Sequence, residues 1–394
     1  MPILIVGFST RAIAESAVQR GYPVITLDYF GDRDQRALVQ NYSLLRDFDL
    51  PYSAQALLEV SRALEFEAVA YIANLENYPD VVASLAQGRR LLGNTPDTLR
   101  QVRDWHTLRE FCRAAEIPLP TTLLPGEESR ADPALRWLCK PAQGGGGHGI
   151  RFWNGEPLDA RYVLQAYVPG QPASAAFLAD GRHSIVIGLT EQLIGREELG
   201  CQGFAWCGNI WPLMLPPGAR RALWQEIERI VARLTRRFNL RGANGIDLVM
   251  GKDLDGRLRP FLIEVNPRYT ASMELFERAL DLNIFSLHIE AMNGHLPDGH
   301  LPDGHLPNRP FPHMQFPNTC LGKGIVYTKS GATMPDTAEW VEKGRRDVPF
   351  TGEHIPAGHP VCTLLAEGKN RQACWQHLLT GVRAIRQEIG ETTI

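Results

Sequence analysis

The sequence predicts a protein of mixed α/β and α+β class, with an α/β domain first, an α+β region in the middle and a small β-rich domain at the C-terminus. Residues 2–8 and 23–28 read as apolar strands on either side of a helical stretch, a β-α-β opening that is typical of a parallel sheet. Further along, two alternating apolar strands flank Asp255-Gly256, a dipeptide that favours a hairpin turn.

The alternation of strand-like and helix-like segments is interrupted near Thr95-Pro96-Asp97, where a capped helix begins. This interruption predicts the end of the first domain. We expect domains at residues 1–95 and 96–292, a linker at 293–309 and a small α+β domain at 310–394. The linker repeats the unit HLPDG, and such short Pro/Gly copies cannot build a core. Three His in the repeat could bind a metal ion in principle, but the linker reading is favoured because no scaffold fixes their spacing.

Composition excludes several classes of protein. The 394 residues carry a formal net charge of −3 and are 44% hydrophobic, which is typical of a globular chain. Because there is no basic excess, no apolar run of about 20 residues and no secretory leader pattern, we expect no nucleic-acid partner, no membrane span and a cytoplasmic location. Seven Cys without a C-x-x-C pair disfavour a disulfide framework, and the absence of G-x-G-x-x-G after the first strand disfavours NAD.

A glycine run follows the strand that ends near Lys140, and it has the composition of a phosphate-binding flap. The four consecutive glycines are Gly144, Gly145, Gly146 and Gly147. Such a run leaves backbone N–H groups bare and lets the chain fold closely over an anion, while Lys140 adds a positive charge. His148 then either contacts the γ-phosphate or covers the loop. The alternative is a mobile surface loop with a solvated lysine.

The strands on either side of Asp255-Gly256 place Asp247 opposite Glu264 if the turn has two residues, with Asn266 on the same face. A three-residue turn would break this register. Facing carboxylates repel unless a cation lies between them, and oxygen ligands beside a phosphate loop suit Mg²⁺. On this argument, Glu264→Gln should lose turnover while the stability of the nucleotide-free protein holds or rises. The alternative is an exposed hairpin with incidental acids.

Together these segments resemble the ATP-grasp superfamily over roughly residues 1–290. The resemblance is carried by Lys140 with its flap, by residues 162–170, and by Asp247 followed by the E-V-N-P-R segment 264–268. It implies a Rossmann-like first domain and an ATP-grasp fold of two α+β subdomains that hold ATP between them. The implied ATP-binding residues are Lys140, the flap with His148, Gln165, and the backbone of Ala166 and Val168. The implied magnesium residues are Asp247, Glu264 and Asn266, and the implied catalytic residues are Arg268, which faces an acyl-phosphate, and Lys140.

Two positions depart from the pattern of the superfamily. Trp105 follows Asp104 where members usually carry a second phosphate-binding lysine, and Ala166 stands where an acid is common. Arg103 is one candidate for the missing cation. Weaker ATP binding and loss of catalysis are the other consequences that these departures allow.

The resemblance implies an ATP-dependent ligase that activates a carboxylate as an acyl-phosphate and joins it to an amine. The whole chain looks most like small carboxylate–amine ligases such as the tyramine–glutamate ligase of methanofuran synthesis. Alternatives are a carboxylase-like enzyme that activates bicarbonate and a nucleotide-binding regulatory module without turnover. The expected cofactors are ATP and Mg²⁺, and the expected partners are a small acid and an amine, with a homodimer as a further expectation. Specificity residues are expected at 191–211 and in the first domain.

Overall fold

The structure is a computed structural model that describes residues 1–297 and 319–391. Most of the HLPDG repeat, on which the linker prediction rests, lies outside the described residues. Within the part of the chain that is described, no helix is long and apolar enough to span a bilayer.

The chain opens with a five-stranded parallel sheet. Its strands are β1 (Ile3–Val6), β2 (Val24–Asp28), β3 (Gln40–Ser43), β4 (Ala68–Tyr71) and β5 (Arg90–Leu91). The segments between them contain α1 (Arg11–Gln19), α2 (Arg33–Leu38), α3 (Leu44–Asp47), α4 (Ala54–Ser61), the short 3₁₀ helix Leu75–Asn77 and α5 (Pro79–Leu85). The strand order is β3-β2-β1-β4-β5, and Leu4 and Ile5 point into opposite, fully buried cores. The predicted parallel opening is confirmed.

A small antiparallel sheet follows two helices, α6 (Pro96–Val102) and α7 (Trp105–Ala114). Its strands are β6 (Thr122–Leu123), β7 (Trp137–Pro141), β8 (Arg151–Phe152) and β9 (Tyr162–Ala166), and a 3₁₀ turn at Glu128–Arg130 precedes β7. The order is β6-β9-β7-β8. The glycine run therefore joins two neighbouring strands, β7 and β8, and Lys140 lies near the end of β7.

The large antiparallel sheet has eight strands. In chain order they are β10 (Gly170–Asp180), β11 (Ser184–Ile194), β12 (Trp206–Trp211), β13 (Arg241–Lys252), β14 (Leu258–Asn266), β15 (Cys320–Tyr327), β17 (Arg345–Arg346) and β19 (Pro360–Gly368). β16 (Ala332–Thr333) and β18 (His354–Ile355) form a separate two-stranded ribbon. Four helices and a 3₁₀ turn accompany these strands: Glu197–Leu199, α8 (Arg220–Phe238), α9 (Met273–Leu280), α10 (Ile284–Met292) and α11 (Arg371–Glu388).

The strand order of the large sheet, β14-β13-β10-β11-β12-β15-β19-β17, places the C-terminal strands next to the middle region. β15 pairs with β12 through Leu321 to Gly324, so the last part of the chain continues the sheet that contains Asp247. The α+β character predicted for the middle and C-terminal regions is confirmed, and the mixed class with it. The division of the chain into domains stays a prediction.

Candidate active site

One cavity of about 1120 Å³ is lined by segments from the first sheet, the small sheet and the large sheet. The structure brings all of the sequence-predicted residues to this cavity: Lys140, Gly144, Gly145, Gly146, Gly147, His148, Gln165, Ala166, Val168, Asp247, Glu264, Asn266 and Arg268. Their side chains and backbone groups come from β7, the flap, β9 and the β13–β14 hairpin. The roles assigned to them from the sequence stay predictions.

The β13–β14 hairpin pairs Asp247 with Glu264, as predicted, but it does so by a different route. The turn closes with Asp253 N–H donating to the carbonyl of Arg257 (2.9 Å), and Gly256 adopts a φ of +77°. This is a three-residue loop with glycine at the left-handed position, so the assumed two-residue turn is wrong. A bulge between Asp247 and Leu248 shifts the register by one residue and restores the facing pair.

The bulge has a second effect, because it leaves Ile263 of β14 without a partner on β13. The carbonyl of Ile263 accepts a hydrogen bond from the ammonium of Lys140 at 3.1 Å. Lys140 is only 5% exposed, and its nitrogen lies 4.8 Å from the centroid of the Trp105 ring. Burial lowers the pKa of Lys140. The lysine is therefore held by one carbonyl and one aromatic ring, and its nitrogen lies 3.8 Å from a carboxylate oxygen of Glu264.

The two facing carboxylates have different surroundings. Asp247 accepts hydrogen bonds from Gln192 (2.8 Å) and Asn266 (3.1 Å), and burial, followed by the charge of Glu264, raises the pKa of Asp247 to about 6. Burial alone would raise the pKa of Glu264 too. The charges of Arg103 and Lys140 outweigh burial and hold the pKa of Glu264 below its ordinary value. The two facing acids are therefore not equivalent, because cations lie close to Glu264 whereas amide groups contact Asp247.

Arg103, the candidate for the cation that is absent at Trp105, lies beside Glu264. Its guanidinium donates to Glu264 at 2.5 Å, to the carbonyl of Val265 at 3.1 Å and to the flap carbonyl of Gly144 at 3.3 Å. Trp105, at the position of the absent lysine, is buried and donates from its indole to Ala142. The positive charge beside Glu264 thus comes from the end of α6 instead of the start of α7.

Glu76 is a functional candidate that the sequence did not reveal. It lies in the 3₁₀ helix after β4, is 1% exposed, and accepts a hydrogen bond from the guanidinium of Arg268 at 2.7 Å. Its other carboxylate oxygen is buried without a hydrogen-bond partner among the described residues. Arg268 also donates to the side-chain oxygen of Asn266 at 3.2 Å. The only available signal was the position of Glu76 shortly after a parallel strand, where ligand sites are common in α/β sheets.

The flap is fixed over the cavity by several contacts. The carbonyl of Gly144 accepts from Asn77 (3.2 Å) as well as from Arg103, and the carbonyl of Gly146 accepts from the Trp206 N–H (2.9 Å). Gly147 has a φ of +74°, and a Cβ there would lie 1.9 Å from the carbonyl oxygen of Phe204. Glycine is therefore required at this position by both conformation and space.

The proposed adenine residues lie at the end of β9 and just beyond it. Gln165 is buried and donates to the hydroxyl of Thr122 at 3.2 Å. The backbone N–H of Ala166 donates to the carbonyl of Thr121 at 2.8 Å. The side-chain amide of Gln165 and the backbone N–H of Ala166, both predicted to contact adenine, therefore already donate hydrogen bonds within the protein.

The donor set offered to a metal consists of two carboxylates, from Asp247 and Glu264, and the amide oxygen of Asn266. No group of three or more His, Cys, Asp and Glu with metal-binding geometry occurs in the described ranges. Mg²⁺ binds through one or two protein carboxylates and completes its shell with water and substrate phosphate oxygens, so this set fits it. The raised pKa of Asp247 supports the fit, because a bound cation would favour its ionised form.

Comparisons with known proteins agree with this architecture. The profile of the ATP-grasp domain family matches residues 103–272. The arginine-specific large chain of carbamoyl phosphate synthase from Halalkalibacterium halodurans is 22% identical over 306 residues; the match covers 68% of this chain, which spans only 28% of that relative.

Two solved structures share the fold across nearly the whole chain. The L-amino acid ligase of Bacillus licheniformis is 15% identical, covers 98% of each chain and has a TM-score of 0.65. The biotin carboxylase domain of Hydrogenobacter thermophilus 2-oxoglutarate carboxylase, solved with MgADP and bicarbonate, is 14% identical, with 98% and 89% covered and a TM-score of 0.68. Residues 103–272 therefore match the ATP-grasp domain family, and both solved structures share the fold of the chain.

Proposed function

We propose that this chain is an ATP-dependent ligase that activates a carboxylate as an acyl-phosphate and joins it to an amine, releasing ADP and phosphate. The observation that carries the proposal is the grouping of facing acids and buried cations in one cavity beneath a glycine flap. Asp247 and Glu264 supply the acids, and Lys140 and Arg268 supply the cations that line the cavity. Arg103 adds a further cation through its ion pair with Glu264. The match of residues 103–272 to the ATP-grasp domain family supports the use of ATP and Mg²⁺.

In the first step, a carboxylate oxygen of the acid attacks the γ-phosphorus of ATP, and the bond from that phosphorus to the ADP oxygen breaks. Lys140 and the flap N–H groups would bind the phosphates. Asp247, Glu264 and Asn266 would hold Mg²⁺, which supplies charge neutralisation when bound. Arg268, fixed by Glu76, would offset negative charge on the transferred group.

In the second step, the amine nitrogen attacks the acyl carbon of the acyl-phosphate. The C–O bond to phosphate breaks, inorganic phosphate leaves and the nitrogen gives up a proton. The acyl-phosphate must be kept from water in the interval between the two steps. The flap, held by Arg103, Asn77 and Trp206, is suited to exclude solvent.

A carboxylase-like reaction is the second candidate. It is favoured by the fold similarity to a biotin carboxylase domain solved with bicarbonate. The 394 residues contain no biotinyl-lysine A-M-K-M motif. A regulatory module that binds nucleotide without turnover is the third candidate, since Trp105 replaces the second lysine.

A screen for ADP release with Mg-ATP, a panel of carboxylic acids and a panel of amines decides among the three. Release that requires both an acid and an amine supports the ligase, whereas release with bicarbonate alone supports the carboxylase. Tight ATP binding with no release under any condition contradicts both enzyme proposals. Lys140→Met should bind ATP at least about tenfold more weakly, because a charged contact to phosphate is lost, while the exposed Lys252→Met should match the wild type.

Several finer expectations stay predictions within this proposal. They include the tyramine–glutamate ligase branch, cofactor biosynthesis as the wider role, a cytoplasmic location and a homodimer. Sedimentation of the purified chain at several concentrations measures the oligomeric state directly.

A further inference from the structure

Three uncharged polar side chains from neighbouring strands of the large sheet lie next to Asp247. Ser174 on β10 is the cross-strand neighbour of Asp247 on β13, and Thr190 on β11 is the neighbour of Ser174 on its other side. The hydroxyl oxygens of Ser174 and Thr190 are 2.8 Å apart. Asn209 on β12 donates to the hydroxyl of Thr190 at 2.8 Å and to that of Ser174 at 3.4 Å. We call Ser174, Thr190 and Asn209 the polar cluster.

Trp206 fixes the direction of the hydrogen bonds in the polar cluster. An indole N–H can only donate, and that of Trp206 donates to the side-chain oxygen of Asn209 at 3.0 Å. The amide oxygen of Asn209 therefore faces Trp206, and its NH₂ group faces the two hydroxyls. The hydroxyl of Thr190 is thus an acceptor for Asn209.

The hydroxyl hydrogen of Thr190 has one acceptor within reach. Thr190 is 0% exposed, and among the described residues its hydroxyl contacts only Asn209 and Ser174. If Ser174 donated to Thr190, the hydrogen of Thr190 would be buried without a partner, which costs free energy. Thr190 therefore donates to Ser174, and the oxygen of Ser174 accepts.

Ser174 is left with a hydroxyl hydrogen that no group within residues 1–297 and 319–391 accepts. Its side chain lines the cavity, whereas that of Thr190 does not. The neighbouring carboxylate of Asp247 already receives hydrogen bonds from Gln192 and Asn266, and in the described part of the chain none joins it to Ser174. The hydrogen of Ser174 is therefore available to a ligand beside Asp247.

The position of Ser174 relative to the cations indicates which group of a ligand it meets. Lys140 and Arg103 form ion pairs with Glu264 on the edge strand β14, close to the flap. Ser174 lies on the opposite side of Asp247, toward the middle of the sheet. In phosphoryl-transfer sites the metal bridges the last two phosphates. With the inner phosphates bound by the flap and Lys140, the group beyond Asp247 is the terminal phosphoryl group.

From this geometry we infer that Ser174 is a further catalytic residue, which donates a hydrogen bond to an oxygen of the phosphoryl group that is transferred from ATP. Thr190, Asn209 and Trp206 are positioning residues, because they fix the direction of the Ser174 hydroxyl. A donor that is held in place needs no reorientation when negative charge shifts during the transfer. The inference rests on the use of ATP in the proposed function.

Calorimetric titration of the full chain with two nucleotides tests this assignment without acid, amine or turnover. The probes are Mg-ADP and the magnesium complex of the β,γ-imido analogue of ATP, which keeps the terminal phosphoryl group. Ser174→Ala should weaken binding of the imido analogue about tenfold, the scale of a hydrogen bond to a charged group, and should leave Mg-ADP binding unchanged. Equal losses for the two nucleotides, no loss for the imido analogue, or no measurable binding of either by the wild type overturns the assignment.

Two further variants control for changes in packing. Ser174→Cys keeps most of the volume but has only a weak S–H donor, so it should give a smaller loss of imido-analogue binding than Ser174→Ala. If Ser174→Ala does not fold, an unchanged affinity for the imido analogue in Ser174→Cys overturns the assignment. Ser184→Ala removes a serine of β11 that lies outside the cavity, and it should bind both nucleotides as the wild type does.

A pair of variants tests the positioning role of Thr190. Thr190→Ser keeps a hydroxyl and should match the wild type, whereas Thr190→Val removes the donor to Ser174 and should weaken imido-analogue binding about threefold. In a Ser174→Ala background, Thr190→Val should not change the ratio of the two affinities further, because both substitutions remove one interaction. Additive losses would overturn the positioning role.

The binding ratio and the ADP-release screen can fail independently. If Ser174→Ala selectively weakens the imido analogue but no acid and amine stimulate ADP release, the ligase proposal fails and the assignment of Ser174 stands. If release requires an acid and an amine while the ratio is unchanged in Ser174→Ala, the ligase proposal stands and the assignment fails.

Discussion

Asp247 and Glu264 face each other across one hairpin, yet their contributions to stability have opposite signs. The folded pKa of Asp247 is about 6, above its ordinary value of 3.8, so the unfolded state binds fewer protons and stability falls as the pH rises from about 4 to 6. Glu264 has a lowered folded pKa, so its contribution is present above its ordinary pKa of 4.5 and is lost on acidification.

The opposite pKa shifts predict different changes in stability when each acid is replaced by its uncharged amide. Glu264→Gln should lose about 3 kcal/mol of unfolding free energy at pH 7, because Arg103 and Lys140 remain buried without their carboxylate. This reverses the expectation from sequence that the nucleotide-free stability of Glu264→Gln would hold or rise. Asp247→Asn should lose less, and its stability should vary less between pH 4 and 6. Urea unfolding at several pH values measures both; a larger loss in Asp247→Asn would contradict the assignment of charges.

Glu76 should act on catalysis through Arg268. In Glu76→Gln we expect kcat to fall about tenfold or more while ATP affinity is unchanged, because the guanidinium loses its buried charged partner but the phosphate contacts of Lys140 remain. Single-turnover kinetics and ATP titration separate the two effects.

A purely structural role for Glu76 would instead lower the melting temperature and ATP affinity together. Glu76→Asp should recover part of the rate, and Glu76→Gln should have little further effect in an Arg268→Lys background, because both changes remove one interaction. Glu67→Gln, an exposed acid near the N-terminus, is the matched control.

Single residues were predictable where the relevant signal was local. Lys140 and the flap are adjacent in sequence, and Asp247 and Glu264 belong to one hairpin, so each group could be recognised within one local segment. Glu76 pairs with a residue 192 positions away, and Arg103 approaches Glu264 from across 161 positions. No periodicity in a single sequence encodes contacts of that separation.

At the scale of single elements, two errors in the predicted register of the β13–β14 hairpin cancelled each other. Treating Asp255-Gly256 as the entire turn omitted Leu254 from the loop, and assuming regular pairing omitted the bulge at Ile263. Each alone would move the register by one residue and turn one acid to the other face. Bulges depend on tertiary context, here the ammonium of Lys140 at the Ile263 carbonyl, so the strand pattern alone could not reveal this one.

The flap should be sensitive to a single methyl group. In Gly147→Ala the new Cβ would overlap the carbonyl of Phe204, so closure should be impaired, with ATP affinity reduced about tenfold or more and faster proteolysis of the flap in the presence of Mg-ATP. Gly155→Ala is a matched control, since Gly155 has a φ of +90° but nothing lies within 4 Å of the position that its new methyl group would occupy. Equal effects in both variants would mean that backbone conformation, and not contact with Phe204, is responsible.

At the scale of the whole molecule, a buried ion network joins three separate parts of the chain. Arg11 on α1 binds both oxygens of Glu274 on α9, at 2.7 and 3.0 Å, and Asp347 beyond β17 at 2.9 Å. Lys323 on β15 binds Glu274 at 2.7 Å. Because Arg11, Glu274 and Lys323 are nearly inaccessible to solvent, the loss of Arg11 leaves charged partners without it at low dielectric.

Arg11→Met should therefore destabilise the protein by about 3–5 kcal/mol and reduce the cooperativity of unfolding, since the first sheet loses its anchor to α9 and the C-terminal strands. Urea unfolding followed by both fluorescence and circular dichroism measures the two effects. Arg100→Met removes an arginine whose ion pairs are exposed, and it should leave the midpoint unchanged. A similar midpoint for both variants would contradict a structural role for the network.

The global arrangement was only partly predictable. The β-α-β opening and the hairpin each carry a local pattern, so the fold class followed from the sequence. Attachment of β15 to β12 depends on pairing between residues more than a hundred positions apart, and nothing in either strand's own pattern selects that partner.

The position of β15 beside β12, with β19 on the far side of β15, has a consequence for synthesis on the ribosome. The chain emerges from its N-terminus, so residues 170–266 can pair into a sheet while the strands that cover β12 are still untranslated. Until then, the backbone of β12 is an open edge able to pair with a strand from another nascent chain. The cavity also lacks its wall from Lys323 and from residues 353–363 during this interval. A complete cavity wall and protection from aggregation should therefore arrive together, once β15 and β19 have been translated and have docked.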